Sequence, residues 1–345
     1  MKHGTRHPTR NLQSAICNLQ SAINGMPRQS LTPYLVLLGG VGVVASAAIM
    51  IRALQRPPLD MPAALIAAGR LGLAAIILLP IAWLRVGPEL RRLKRRDLLL
   101  GIGAGALLAL HFDAWIASLD YTSVASSVAL VSTNPLWVAV LSLLLWGERP
   151  PRLTLLGVLL AVAGSALIGF SDSGGAAPNA LLGDGLALVG ALAVSGYFLI
   201  GRELRRRLSL LAYIWLVYTS AAIVLLAVAL VAASAQQGER WGALAGYPPS
   251  AYGLLLLLAV GPQLLGHSAL NWALRYLSAT FITVALLGEP IGAALLALLL
   301  FREWFAPLQL LGFVLLLAGI VAAARGERMQ TEGGRGESNV RGMAH

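Results

Sequence analysis

Pro135 and Pro290 stand 155 residues apart, and other residues recur at the same offset. Tyr121 matches Tyr276, Ser123 matches Ser278, Glu148 matches Glu303, Gly157 matches Gly312 and Gly164 matches Gly319, with unbroken apolar runs between these anchors. An internal repeat of this length means two similar units in one chain, which removes most single-core architectures from consideration. The repeated unit is hydrophobic throughout. Apolar residues make up 57% of the chain and charged residues only 12%, whereas a soluble domain carries about a quarter charged residues. There is too little polar surface here to cover a soluble globule, so the duplicated unit belongs in a bilayer. Duplication in a membrane is a common plan for carriers that expose a central site alternately.

Stretches of about 20 apolar residues suffice to span the hydrocarbon core. Ten are predicted, over 33–53, 61–84, 98–119, 124–146, 153–170, 183–201, 211–233, 252–274, 279–300 and 307–324. The linker SDSGGAAPNALLG separates the fifth from the sixth and divides the chain into repeats at 33–170 and 183–324. Longer linkers also lie at 85–97 and 233–251. Each half holds five spans. Five is odd, so the second half enters the membrane in the opposite sense, and the repeat is an inverted one.

The net charge of +11 raises the question of nucleic acid. Its distribution answers otherwise. With both termini on the cytoplasmic side, 21 of the 26 Lys and Arg fall in the tails and cytoplasmic loops, the bias expected of membrane topology. The basic balance thus reports orientation, with contact to anionic lipid heads, and no nucleic-acid partner is expected. Cys17 is the single cysteine, so no intramolecular disulfide can form. Residues 1–30 include NLQSAICNLQSAIN, a polar seven-residue repeat with no sustained apolar period. This tail is expected to be disordered, and a start at Met26 would leave most of it untranslated. The Gly-rich tail 325–345 is expected to be disordered as well.

The segment TNPLWVAVLSLLLWGERPPRLTLLGVLLAVAGSALI and its counterpart GEPIGAALLALLLFREWFAPLQLLGFVLLLAGIV each place a proline early in the fourth helix of the repeat. A Glu follows just past that helix, and then a Gly-spaced fifth helix. Both resemble the end of an EamA-type repeat. The chain is similar to ten-helix members of the drug/metabolite transporter superfamily over about residues 33–324, most specifically in the second half of each repeat. Arg302-Glu303 stands where that family often has Gly-Glu. The resemblance implies movement of a small metabolite, such as an amino acid or amine, through a central cavity, without naming the cargo.

Ionisable side chains inside a span cost about 2.5–3.5 kcal/mol on insertion scales and usually face the bundle interior. Glu289 precedes Pro290 midway along the ninth span, and its repeat partner Asn134 precedes Pro135. Proline withdraws a backbone donor and frees a carbonyl one turn back, read here as Val131 and Ala285. Side-chain oxygens and bare carbonyls therefore gather at matching depths. Glu289 is either a proton acceptor or substrate ligand, or a protonated acid in a helix seam. Gln263, His267 and Asn271 in the eighth span are four residues apart, which puts them on one α-helical face and suggests a wet cavity or a polar seam.

His111 and Asp113 in the third span are about 200° apart and cannot share a wall. Asp113 lies on the small-residue face Gly105–Ala109–Asp113–Ala117, and His111 is the better cavity candidate. Arg70, ten residues into the second span, could hold a substrate carboxylate in its planar fork. It could equally pair with Asp113 or Glu289, and the ion pair is the expectation. Trp115, Trp137, Tyr197, Tyr218 and Trp272 could stack against an organic solute, or pack and anchor as aromatics ordinarily do. Glu148 and Glu303 sit at helix ends near Arg149 and Arg302 and read as helix-terminal ion pairs or gates.

No Walker A sequence, zinc-spaced Cys/His cluster or GxSxG motif is present, so no cofactor is expected. The pattern predicts a secondary transporter of the cytoplasmic membrane driven by a proton or substrate gradient, with Glu289 changing protonation or contacts, and the resemblance implies export or exchange of a small organic metabolite. The alternative from another class is a membrane-embedded enzyme acting on a lipid-linked substrate, whose only seed is the His111/Asp113 pair.

Overall fold

The computed structural model describes residues 31–121, 127, 130–171, 179–235, 246–301 and 307–342. The N-terminal tail with its heptad repeat, most of the central linker, and Arg302 and Glu303 lie outside these residues. Regular structure among the described residues is all helical. The chain opens with α1 (Thr32–Val44) and α2 (Ala47–Gln55), which share one span. Then come α3 (Ala63–Arg91), α4 (Arg95–Ser118), α5 (Asn134–Trp146) and α6 (Arg152–Ser171). The second part holds α7 (Ala180–Arg205), α8 (Leu210–Ala235), α9 (Pro249–Leu258), a π-helix over Ala259–His267, α10 (Ser268–Ala273), α11 (Ala279–Leu286), α12 (Glu289–Phe301) and α13 (Pro307–Gly342).

Among the described residues, seven helical stretches are long and apolar enough to cross a membrane: Thr32–Gln55, Ala63–Arg91, Arg95–Ser118, Leu181–Arg205, Leu210–Ala232, Pro249–Ala273 and Pro307–Gly326. Asn134–Trp146 and Arg152–Leu167 are apolar but shorter. Long aliphatic side chains such as Leu84, Leu144 and Leu299 point outward, as they must when the surrounding solvent is acyl chain. Lipid is as apolar as leucine, so burying more leucine gains little. Helices in such a medium associate by close packing of small residues.

The tightest packing joins α6 to α13. A Cβ on Gly157 would meet the Gly319 carbonyl at 2.6 Å, and one on Gly164 would meet the Gly312 carbonyl at 2.6 Å. Gly326 lies against Thr154 in the same way. Contact partners fall in number along α13 as they rise along α6, so the two helices run antiparallel. These are the very glycines matched by the 155-residue offset. Elsewhere, Gly40 of α1 fits against Ala269 and Gly266, and Gly105 of α4 sits on the backbone of Val217 in α8.

Helix ends are set by local chemistry. The Ser278 hydroxyl accepts from Phe281 N (3.0 Å) to cap α11. Gly147 takes a left-handed conformation (φ 68°) to stop α5, its N–H donating to Leu143 O. Glu89 of α3 accepts from the Ser209 backbone N–H (2.8 Å) and hydroxyl (2.7 Å), which fixes the start of α8.

One expectation differs. α13 continues as helix to Gly342, where composition predicts a disordered tail from residue 325.

Gly157→Leu should push α6 off α13 and cost about 1–3 kcal/mol or more, the usual range for overpacking. Gly39→Ala meets nothing within 4 Å and should be neutral or slightly stabilising. Melting temperatures of the two purified variants, read beside wild type, check the contrast.

Candidate functional site

Three breaks in helical backbone place the polar residues. α11 ends at Leu286, a turn covers Leu287–Gly288, and α12 begins at Glu289. In the first repeat a turn covers Ser132–Thr133 and α5 begins at Asn134. The two turns coincide at the 155-residue offset. Pro290 and Pro135 follow directly at N-terminal positions of a helix, where the missing N–H costs nothing. The third break separates α1 from α2 at Ala45–Ser46, with the Ser46 hydroxyl donating to Val43 O (2.7 Å).

Asn134 and Glu289 thus each occupy the first position of a half-helix, the end whose unpaired N–H groups favour negative charge and lone pairs. Asn134 is buried and its carbonyl accepts from the Ser195 hydroxyl (3.0 Å), while its side-chain oxygen has no partner. Glu289 is partly buried. The Ala285 carbonyl, read from sequence as free, accepts instead from Gly288 N (2.9 Å). The turn created by the break uses it.

The eighth span is not the uniform α-helix its polar spacing suggests. Residues Ala259–His267 are π-helical around Pro262, so Gln263 and His267 are carried on a widened turn and Asn271 on the α-helix that follows. All three are buried. Widened turns of this kind are frequent at functional sites. The signal available in the sequence was Pro262 directly before Gln263.

Arg70 stands at the centre, 1% exposed. Its Nε donates to Gln263 Oε1 (2.7 Å), and its guanidinium lies over the Phe112 ring, 4.4 Å from the centroid. The expected ion pair with Asp113 or Glu289 is not formed within 4.0 Å. Asp113 is only half-buried. Glu289 attracts Arg70 through space from farther away. His267 stands edge-on to Phe112 at 5.6 Å, so Phe112 links Arg70 and His267.

His111 is buried and its Nδ1 is 2.9 Å from the Gly190 carbonyl of α7. Its ring stacks with Trp115 at 6.0 Å. His111 and Asp113 therefore sit in different surroundings, and the catalytic pairing required by the enzyme alternative is not assembled.

Asn271 is held on every side. Its Oδ1 accepts from the Tyr197 hydroxyl (2.6 Å), its Nδ2 donates to the Tyr218 hydroxyl (3.3 Å), and its carbonyl accepts from Arg205 Nε (3.1 Å). The Tyr218 hydroxyl in turn donates to the Gln263 carbonyl (3.4 Å). Hydrogen bonds thus run from Arg70 through Gln263, Tyr218 and Asn271 to Arg205 at the end of α7. Tyr197 and Tyr218 serve as linkers in this chain, a role their sequence positions did not signal. Trp137 donates to the Thr133 hydroxyl (3.1 Å) at the turn before α5, and Trp272 packs on Tyr276 at 4.5 Å.

At one end of the bundle Glu148 takes a bidentate pair from Arg202 (2.5 and 2.8 Å), not from the neighbouring Arg149. Arg207 joins Asp97 (3.0 Å) and Glu203 nearby. The Arg202 guanidinium holds the Glu148 carboxyl below the ordinary carboxylate range. A depressed carboxyl contributes stability that is present above its unfolded pKa and lost as pH falls through its folded one. The pair is partly exposed, so the contribution is small. Wild-type melting temperature should therefore fall slightly further than that of Glu148→Gln as the buffer is taken from neutral to below the carboxylate range. Parallel curves would mean that the pair adds nothing.

The EamA-like transporter family profile matches residues 34–170 and 181–325, the two stretches bounded by the internal repeat. A curated relative, an uncharacterized transporter of Bacillus subtilis (strain 168) called YetK, is 33% identical over 95 residues. That match spans 27% of this chain and 29% of the relative's length. A solved crystal structure aligns with a TM-score of 0.69 at 16% identity, covering 87% of this chain and 98% of that one, a likeness of fold alone.

Proposed function

The chain belongs to the EamA-like transporter family, and from that premise we propose that this multi-pass membrane transporter is a proton-coupled secondary carrier of a small organic metabolite. It has ten spans in two inverted five-helix repeats, sits in the cytoplasmic membrane with both termini inside, and works as an exporter. The central site lies at mid-depth between the repeats.

The observation that carries this reading is the pair of helix breaks at equivalent repeat positions, each presenting a polar residue, Asn134 or Glu289, at a half-helix N-terminus. Non-helical backbone at membrane depth is tolerated only where protein buries it or water reaches it. Broken helices meeting at the midplane are how many carriers form their binding sites. The antiparallel run of α6 against α13 supports the inverted arrangement. A two-fold axis in the membrane plane swaps the Gly157–Gly319 contact into the Gly312–Gly164 contact, and both are present. The polar cluster of Glu148, Arg202, Glu203, Arg207 and Asp97 joins loops assigned to the same, cytoplasmic side, which supports the span parity.

In the cycle, solute enters from the side left open, contacts Arg70, Gln263 and His267, and changes the balance of charge around Glu289. Glu289 takes or gives a proton, and the repeats rock to open the opposite side. Glu148 and Arg202 bridge α5 to α7 across the repeats and must part for the cytoplasmic mouth to open.

Glu289→Gln should reduce proteoliposome transport by an order of magnitude or more, with the variant still expressed and monodisperse. Full activity in that variant would remove the carboxylate from coupling. Collapsing the pH gradient with an ionophore should abolish accumulation in wild type, and unchanged accumulation would point to exchange instead.

A further inference from the structure

Arg70 is a buried cation with a vacant donor. Its Nε is used by Gln263, its face by Phe112, and its Nη2 has no hydrogen-bond partner. Two neighbours share this condition. Gln263 is 0% exposed, and its Nε2 is unpartnered although its Oε1 accepts from Arg70. His267 is buried, edge-on to the ring that Arg70 covers, and its Nδ1 is unpartnered. Guanidinium and carboxamide N–H groups can only donate, and an imidazole nitrogen can do so in one tautomer.

Leaving a buried polar group unpaired costs about 1–3 kcal/mol, and more for a charged one. A buried ion also loses its hydration, a penalty of several kcal/mol that a partner normally offsets. Neither membrane acid offers Arg70 an oxygen within 4.0 Å. The cluster is therefore short of acceptors, and the one acid that acts on Arg70, Glu289, does so from beyond hydrogen-bond reach.

Resting on the transporter reading above, we infer that the cargo is an organic carboxylate whose two oxygens take the free N–H groups of Arg70 and Gln263, with His267 donating alongside. A carboxylate presents two oxygens that can accept from a pair of neighbouring N–H groups, and the guanidinium supplies the opposite charge. A neutral amide supplies one acceptor and brings further donors. A primary ammonium brings donors only, and like charge beside Arg70. The site thus discriminates by charge before any contact with the rest of the solute.

The test uses full-length purified protein, melted in detergent with a panel of small aliphatic and aromatic carboxylates, each beside its primary amide and the corresponding amine. Binding to the folded state raises the melting temperature. Carboxylates should raise it and their amides and amines should not. Arg70→Met should melt a few degrees higher than wild type without ligand, because an unpaired buried charge is gone, and should lose the carboxylate shift. Arg70→Lys keeps the charge without the fork and should retain a reduced shift. Stabilisation by amides or amines equal to that by acids overturns the inference. So does a panel in which no carboxylate shifts wild type, or an Arg70→Met protein that melts lower and still responds to acids. Counterflow of the same panel in proteoliposomes separates the two levels. Exchange of amines or amides alone leaves a transporter with a different cargo class, whereas exchange of no compound counts against the transporter reading itself.

Discussion

Inside a hydrocarbon layer no water is available to take up an unpaired peptide group, and each one left bare costs several kcal/mol. That constraint organises this molecule. It forces the chain into helices, and it makes every interruption of a helix an event requiring compensation nearby. The interruptions at Ala45–Ser46, Ser132–Thr133 and Leu287–Gly288 are met by local turn hydrogen bonds, by the Ser46 and Thr133 hydroxyls, and by proline at positions that need no N–H. The π-helix around Pro262 is a fourth solution to the same problem. Polar side chains then gather where the backbone is already irregular, since a place arranged to satisfy peptide groups can also hold an Arg or a Gln.

Much of this was legible in the sequence. The 155-residue offset named the glycines that bring α6 and α13 together, because close backbone approach leaves no alternative residue. It also aligned the two proline-marked breaks. The burial of Arg70, Gln263, His267 and Asn271 followed from the cost of facing lipid. What could not be read was pairing across the bundle. Gln263 takes Arg70 from 193 positions away, and Glu148 takes Arg202 and not the adjacent Arg149, because side chains on separate helices meet according to helix rotation. That rotation depends on all the small-residue contacts at once. The π-helical turn escaped for a related reason. A four-residue spacing suits either kind of helix, so it does not reveal the widened turn around Pro262.

The polar interior divides into two parts with different characters. Asn271, Tyr197, Tyr218 and Arg205 satisfy one another, with bonds linking α7, α8 and α10. This part is a brace. Arg70, the Gln263 amide and His267 are incompletely satisfied and are attached to the brace through Gln263. In the proposed carrier, a rigid set of neighbours would hold these unspent donors in place for the solute.

The antiparallel seam of α6 and α13 has one further implication. Where peptide planes touch with no side chains between them, the separation of two rods is fixed by van der Waals radii and cannot be tuned by a rotamer change. Such a line of contact resists sliding, because each glycine notch holds the opposing carbonyl, but it offers little resistance to rolling. It is a fulcrum. Motion between the two duplicated units would then swing widest farthest from it, which leaves the outer helices to do the travelling.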